Sequence, residues 1–453
     1  MANAYVDILE INENGSSIYG TEYLKEAKWR TCLHRKNKTN YIQICTWRWN
    51  DGSVFDFLAS ELQRYGIAPQ RKSELEILQE IRANRSDDWQ DFLSLLRDFL
   101  SLHKNSGQKI IQIREKIARQ NDSFESLRME RFLQIYASYY LSYEEWLLES
   151  RSYDFADMIN NATRNVREIS SCAAGYRYIL LDEMQDLSRN RQELILEILH
   201  KNPGCKLFAV GDDWQSIYRF TGSNLMLVHN FEKFFKLRTR RSLIETTHRF
   251  AEPTVKLSSA FVQKNPIQVR KRIHTSKRGA TPVEIIFNEA EDGARGSDVP
   301  AFGRAIIHLI SIYGADALKA KSLQIISRYN HDVARLAGSK NIEITDEKIT
   351  WHDQDITLDF EFCSMHKSKG ITRDVVIVLN MNSGLMGMPA QRETDPILNL
   401  LLSQEDEYVY AEERRLFYVA ITRARERTIL LANRKNPSPF LFEICDDLAA
   451  EKG

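Results

Sequence analysis

The stretch Tyr178-Ile-Leu-Leu-Asp182-Glu183-Met-Gln185-Asp186, then a helix-like segment, then Lys206-Leu-Phe-Ala-Val-Gly-Asp-Asp-Trp214-Gln215-Ser-Ile-Tyr218-Arg-Phe220-Thr-Gly-Ser223, decides the fold. Its two short apolar runs, Tyr178–Leu181 and Lys206–Val210, read as strands of a parallel sheet buried on both faces. Each run ends in a burst of acids and amides. In open α/β sheets ligands sit beyond the carboxyl ends of strands, so these bursts are expected to face one site. A carboxylate at Asp182 can hold a magnesium ion through water. Glu183 is placed to polarise an attacking water. Gln185 and Gln215 can report on a terminal phosphate. Trp214, Tyr218 and Phe220 follow, where flat rings can stack on bases. An acidic pair after an apolar strand is common by itself; the combination of both bursts is not.

Together the two bursts resemble motifs II and III of the UvrD/Rep-type superfamily 1 helicases, in the manner of the helicase IV branch. Three later stretches extend the resemblance. Leu243-Ile-Glu-Thr-Thr-His-Arg249-Phe looks like motif IV, whose arginine reaches the terminal phosphate from a second motor domain. An arginine suits that task because its planar fork matches phosphate oxygens. Phe362-Cys-Ser-Met-His366-Lys-Ser-Lys369-Gly370 looks like motif V. A Lys-Gly pair at a loop-to-strand junction lets backbone amides approach a phosphate. Glu412-Glu-Arg-Arg-Leu-Phe-Tyr418-Val-Ala-Ile-Thr-Arg423-Ala-Arg425 looks like motif VI, with Arg423 as its arginine finger. Such a finger is worth on the order of 10³-fold or more in rate in related NTPases. The resemblance implies ATP and Mg2+ as cofactors. It implies catalytic roles for Asp182, Glu183, Gln215, Arg249 and Arg423, with Asp182 also the metal ligand. Gln185, Lys369 and Gly370 would contact the nucleotide, and Trp214, Tyr218, Phe220 and His366 the nucleic acid. The family has an acid or amide two places after the motif V glycine; here that residue is Thr372, which leaves the ribose contact unassigned.

The 453 residues allow two to four domains with ample core. A 43% hydrophobic, 27% charged composition is that of an ordinary globular protein. Lys plus Arg equals Asp plus Glu at 62 each, so no global basic field draws the chain to nucleic acid and any such site must be local. The six cysteines stand far apart with no Cys-x-x-Cys pair, so reduced thiols and a cytoplasmic location are expected. No signal peptide, membrane span, internal repeat or low-complexity tract is evident.

Along the chain, residues 1–70 read as a small mixed α/β element. Glu22–Arg35 has helical character, Asn40–Trp49 reads as a strand, Asp51-Gly52 as a turn and Phe55–Tyr65 as a helix. This piece is either a structural subdomain or the tail of a nuclease-like insertion; the acidic signature of such a nuclease is not in the chain. Residues 71–150 read as wholly helical, from Leu75, Ile77, Leu78 and Ile81 through Trp89, Phe92 and Phe99, and resemble subdomain 1B. The aromatic-rich run Phe132–Trp146 suits a core, or bases stacked upon it. Residues 151–243 would be the remainder of RecA-like domain 1A, and 244–453 RecA-like domain 2A. Lys264–Arg278 is strongly basic and reads either as a solvated loop or as a track for a phosphate backbone.

A superfamily 1 motor also needs a Gly-x-x-x-x-Gly-Lys-Ser/Thr loop to cradle phosphates, and none of the 19 glycines is followed by Lys. The expected fold is therefore α/β: two RecA-like P-loop NTPase domains, the first incomplete at its N-terminus, with a helical 1B-like insertion. Missing strands should leave apolar surface uncovered. The expected function is ATP-driven 3′ to 5′ movement on single-stranded or partly duplex DNA. The rivals are a non-catalytic DNA-binding or regulatory remnant, and a split enzyme whose P-loop comes from another polypeptide.

Overall fold

A computed structural model describes residues 4–17, 20–50, 53–69, 73, 76, 80, 86–120, 123–169, 173, 175–279, 283–289, 295–353, 356–392, 394–402 and 408–450. Leu75, Ile77, Leu78, Ile81 and the Asp51-Gly52 turn lie outside these residues. By internal contacts the chain divides into two compact units: Met1–Leu100 with Gln108–Ser152, and Ser101–Gly107 with Tyr153–Gly453.

In the first unit, β1 (Ala4–Leu9) runs parallel to β2 (Asn40–Cys45), in register from Ala4 opposite Asn40 to Leu9 opposite Cys45. The helix Gly20–Lys36 makes the crossover between them. Helix Val54–Arg64 covers one face, burying Ile42, Ile44 and Val54 with Phe57, Leu58 and Leu62. The second strand is shorter than its aromatic content predicts. It stops at Cys45, and Trp47–Asn50 turns helical, with the Arg48 guanidinium 4.4 Å from the Trp47 ring and 3.9 Å from the Phe57 ring. That pair of cation–π contacts gives the aromatic segment an alternative to the ladder. Helices Ser86–Ser106, Ile110–Ala118 and Ser123–Glu149 follow. The aromatic run splits by helical period. Phe132 and Tyr136 are buried edge-on to Phe99, at 5.2 and 4.5 Å between centroids, while Tyr139 and Trp146 face solvent.

In the second unit, β3 (Tyr178–Leu181) pairs in parallel with β4 (Lys206–Ala209), and helix Arg189–Lys201 connects them. Helix Phe155–Glu168 precedes them, with Asp154 as its N-cap accepting from the Asp157 amide at 2.8 Å. The two strands sit where the apolar runs predict, but they are not buried on both faces: Leu180 is 74% and Phe208 62% exposed. The small sheet stands alone among the described residues, so one of its faces has no cover.

The chain continues through β5 (Thr246–Thr247), β6 (His274–Thr275) and a seven-stranded sheet. Its strands are β7 (Val283–Asn288), β8 (Leu323–Ser327), β9 (Ile342–Thr345), β10 (Lys348–Asp353), β11 (Ile356–Ser364), β12 (Arg373–Val378) and β13 (Ala424–Asn433), in the order β7-β13-β12-β8-β11-β10-β9. The first five in that order are mutually parallel, and β9 and β10 extend them as an antiparallel hairpin. Its centre reads as continuous apolar sequence, Val375–Val378 and Ile429–Ala432, because both faces are covered. Helices Glu252–Val262, Ala411–Ile421 and Pro439–Ala450 supply one face, with Phe261, Phe417 and Phe440 clustered edge to face. Helix Val299–Tyr313 covers the other. The architecture is α/β, as expected. No described helix is long and apolar enough to cross a membrane.

Candidate functional site

The acidic burst after β3 folds back on the end of β4. The Met184 amide donates to the Val210 carbonyl at 2.9 Å, and the Val210 amide to Leu181 at 2.8 Å. This tight return puts Glu183 in left-handed backbone space, φ +50°, which is costly for a residue other than glycine and typical of functional turns. Gln185 is fully buried. Its Oε1 accepts from the Asp212 amide at 2.9 Å, and its Nε2 donates to the Glu183 carboxylate. A Cβ on Gly211 would stand 2.5 Å from Met184 Cγ and 2.7 Å from Gln185 Oε1, so only glycine lets the two loops meet. Asp182 is exposed and accepts from the Glu183 amide at 2.9 Å.

The loop after β4 leaves the small sheet and enters the core of the large one. Trp214 is 1% exposed, its indole N–H donates to the Val269 carbonyl at 3.0 Å, and its ring stands edge-on to Tyr418. This corrects the expectation for Trp214, because a ring with neither face open cannot stack on a base. Ile217 joins the same core. Phe220 is the open ring of the loop, 53% exposed and edge-on to His366 at 5.3 Å. Tyr218 donates its hydroxyl to the His366 carbonyl at 2.9 Å. His366 is pushed down to about 3 by burial and by the neighbouring Arg328 charge, so it is neutral at neutral pH.

Lys369 faces carboxylates rather than open space. Its ammonium lies 2.6 Å from Asp186, 2.9 Å from the Gln215 carbonyl and 3.8 Å from Glu183, with the side chain 7% exposed. Burial raises the Asp186 carboxyl, and Lys369 partly offsets that. Gly370 has φ +81° with open space around its Cβ position, so the glycine answers a backbone requirement.

A cavity of about 480 Å³ opens beside this loop, lined among others by Asp212, Gln215, Arg249, Tyr418, Arg423 and Arg425. The Arg249 guanidinium donates to the Thr422 carbonyl at 3.3 Å. Arg423 is almost fully buried. Its Nε donates to the Val419 carbonyl at 2.8 Å and its Nη2 to the Thr422 hydroxyl at 3.1 Å, while Nη1 is buried without a partner. Burial lowers Arg423 to about 10, and the Arg249 charge adds to that; Arg249 is lowered by burial as well. Neither forms an ion pair among the described residues. Two desolvated guanidiniums without a carboxylate partner carry the charge and donors that an anion would neutralise.

The structure thus gathers Gln215, Arg249 and Arg423 on one cavity, with Gln185 packed behind Glu183 instead of facing a ligand. Among the described residues no three His, Cys, Asp or Glu side chains cluster as a metal cage. A magnesium ion needs no cage, since it keeps most of its shell as water and phosphate oxygens, so the exposed Asp182 carboxylate fits one. The buried, partnerless Arg423 Nη1 fits a phosphate. Sequence reasoning missed Asp212 and Lys271. The Gln215 amide donates to Asp212 Oδ2 at 2.7 Å, and Lys271 reaches Asp212 at 2.5 Å and Asp213 at 2.9 Å. The available signal was the acidic doublet itself, which needs a cation once its loop is read as buried. The basic stretch Lys264–Arg278 supplies it. Lys271 is consumed there, and Lys277 is spent on the Arg249 and Arg425 carbonyls at 3.2 and 2.6 Å, so these two are closed to a phosphate backbone.

Comparison with known proteins bears on this arrangement directly. The UvrD/REP helicase N-terminal domain model matches residues 28–236, and the UvrD-like helicase C-terminal domain model matches residues 340–435. DNA helicase IV of Escherichia coli is 30% identical over 416 residues, which is 92% of this chain and 53% of that protein. The ATP-dependent DNA helicase Rep of Buchnera aphidicola is 29% identical over 243 residues, 49% of this chain and 34% of its own length. The ATP-dependent DNA helicase UvrD1 of Mycobacterium bovis is 27% identical over 169 residues, 35% and 22% of the two chains. The chain thus spans about half the length of the first relative and less of the other two. Carrying both the N-terminal and the C-terminal domain matches around one arginine-lined cavity, the chain belongs to the UvrD/Rep-type helicases, whose domains are RecA-like α/β folds.

Proposed function

We propose that this chain serves an ATP-dependent DNA helicase of the UvrD and helicase IV type, which couples ATP hydrolysis to 3′ to 5′ movement on DNA. In this reading residues 71–150 are the 1B-like insertion, 151–243 the remainder of domain 1A and 244–453 domain 2A, with residues 1–70 an appended α/β element. The observation that carries it is the pair Arg249 and Arg423, desolvated together beside Gln215 with no carboxylate partner. ATP with Mg2+, when bound, supplies the phosphoanhydride bond and the divalent charge. Arg249 and Arg423 would hold the terminal phosphate oxygens, with Gln215 lining the same cavity. Glu183 would take the proton of the attacking water, and Asp182 would hold the ion through water. Gln185 fixes the Glu183 carboxylate, and Lys369 holds Asp186 beside it. The exposed Phe220 ring is the base-facing contact, tied to the motif V loop through His366.

One observation favours a second reading. Without a Gly-Lys sequence the chain has no lysine-bearing phosphate loop of its own, which suits a subunit that meets a P-loop on another polypeptide, or a DNA-binding remnant. Steady-state ATP hydrolysis separates these. The chain is assayed with and without single-stranded DNA, alone and with a polypeptide carrying the Gly-Lys-Ser/Thr loop. Turnover stimulated by DNA, abolished by Glu183→Gln and lowered on the order of 10³-fold by Arg423→Ala, is expected wherever a phosphate loop is supplied. Turnover indifferent to Arg423→Ala refutes the assignment. DNA binding with no turnover in any combination identifies the remnant.

A further inference from the structure

The cavity poses an electrostatic question. Its lining includes two unpaired arginines and the carboxylate-bearing Asp212. Opposite charges lining one desolvated cavity tend to pair, and a paired arginine is closed to a ligand. What prevents this is a third group from a different segment. Lys271 reaches Asp212 at 2.5 Å and Asp213 at 2.9 Å, with its side chain 12% exposed. The segment bearing it is itself fastened. The Lys271 amide donates to the Gln263 side chain at 3.1 Å, and the Val269 amide donates to Asp213 at 2.7 Å. The ammonium also lies 4.8 Å from the centre of the Trp214 ring, a cation–π contact that adds to its hold. Burial alone would depress this lysine, but the attraction of Asp212 and Asp213 outweighs it and leaves the group above its ordinary value.

Asp212 in turn is held at both oxygens. Oδ1 accepts from the Trp214 amide at 3.1 Å and from Lys271, and Oδ2 accepts from the Gln215 side chain at 2.7 Å. We propose that Lys271 is a positioning residue of the phosphate site: it withholds the Asp212 carboxylate from Arg249 and Arg423 and, through that carboxylate, aims the Gln215 amide at the cavity. Remove the ammonium, and Asp212 becomes the nearest anion to two unpaired guanidiniums and occupies the site in place of phosphate. This rests on reading the cavity as a phosphate site.

The test is calorimetric titration of the full chain with inorganic tripolyphosphate. Lys271→Met should weaken binding at least tenfold, roughly the least that one freed charge at this range imposes. Lys271→Arg should retain most of the affinity. The decisive variant is the double replacement Lys271→Met with Asp212→Asn, which removes the competing carboxylate and should regain most of the loss. A merely structural lysine would not be rescued by deleting its partner. If Lys271→Met does not fold, Asp212→Asn alone decides: tighter binding than wild type supports the proposal, and weaker binding overturns it. If the wild-type chain fails to bind tripolyphosphate, the phosphate-site reading falls and this inference with it. If it binds and Lys271→Met binds equally well, only the inference falls.

Discussion

Gly211 carries the sharpest steric constraint at the site, since a methyl group there collides with both Met184 and Gln185. Gly211→Ala is therefore expected to destabilise the chain by about 1–3 kcal/mol, as overpacking against fixed neighbours does, read as a shift in the urea midpoint at constant slope. His366 gives a prediction of opposite kind. Its folded value of about 3 lies below its ordinary 6.5. Between those values the unfolded chain holds a proton that the folded chain does not, so stability falls as pH drops from about 6.5 toward 3. The slope owed to this residue is at most about 1.4 kcal/mol per pH unit. His366→Gln should flatten the midpoint-versus-pH curve in that window; an unchanged curve would mean the ring is not buried neutral. At this scale the sequence was readable for chemistry and less so for orientation. Asp182, Glu183 and Arg423 announce their type by position in a motif, but nothing in Trp214 or Gln185 says that one is swallowed by a distant core and the other turned inward. Those facts depend on Phe261, Tyr418 and Val269, which come from elsewhere in the chain.

Among the elements, the helix Ala411–Ile421 is buried along most of its length, with Phe417 inside a cluster of Phe261 and Phe440 at 5.0 and 5.7 Å. Phe417→Ala should cost about 3–5 kcal/mol, measurable by chemical denaturation. The small sheet predicts the reverse behaviour. Leu180 and Phe208 face solvent on adjacent strands, so Leu180→Lys with Phe208→Lys should reduce self-association in light scattering while costing little stability, within about 0.5 kcal/mol per site. Strands β3 and β4 were legible because short apolar runs bounded by polar bursts admit few other structures. The β9–β10 hairpin was not: Ile342, Ile344, Ile349 and Trp351 do alternate with polar residues, but in runs of only four and six residues, too short to mark the strands by themselves. Only pairing with β11 fixes it.

For the molecule as a whole, the formal net charge of zero means that attraction to DNA rests on local groups. Three of the basic residues in Lys264–Arg278, Lys264, Lys271 and Lys277, are already engaged internally, which reduces the count of phosphates the chain can neutralise. Fluorescence-anisotropy titrations of a single-stranded oligonucleotide should show a salt slope no steeper than about −3, corresponding to four or so phosphates. A much steeper slope would point to a broader basic surface than this fold presents. The segment after β4 has a consequence for how the second unit breathes. Trp214 and Ile217 belong to the core of the seven-stranded sheet, while Asp212 and the amides just before it hold the turn of the two-stranded one. In hydrogen–deuterium exchange, the amides of Met184, Asp212 and Gln215 should therefore keep the slow clock of the large core, although the sheet they serve is small and open on one face.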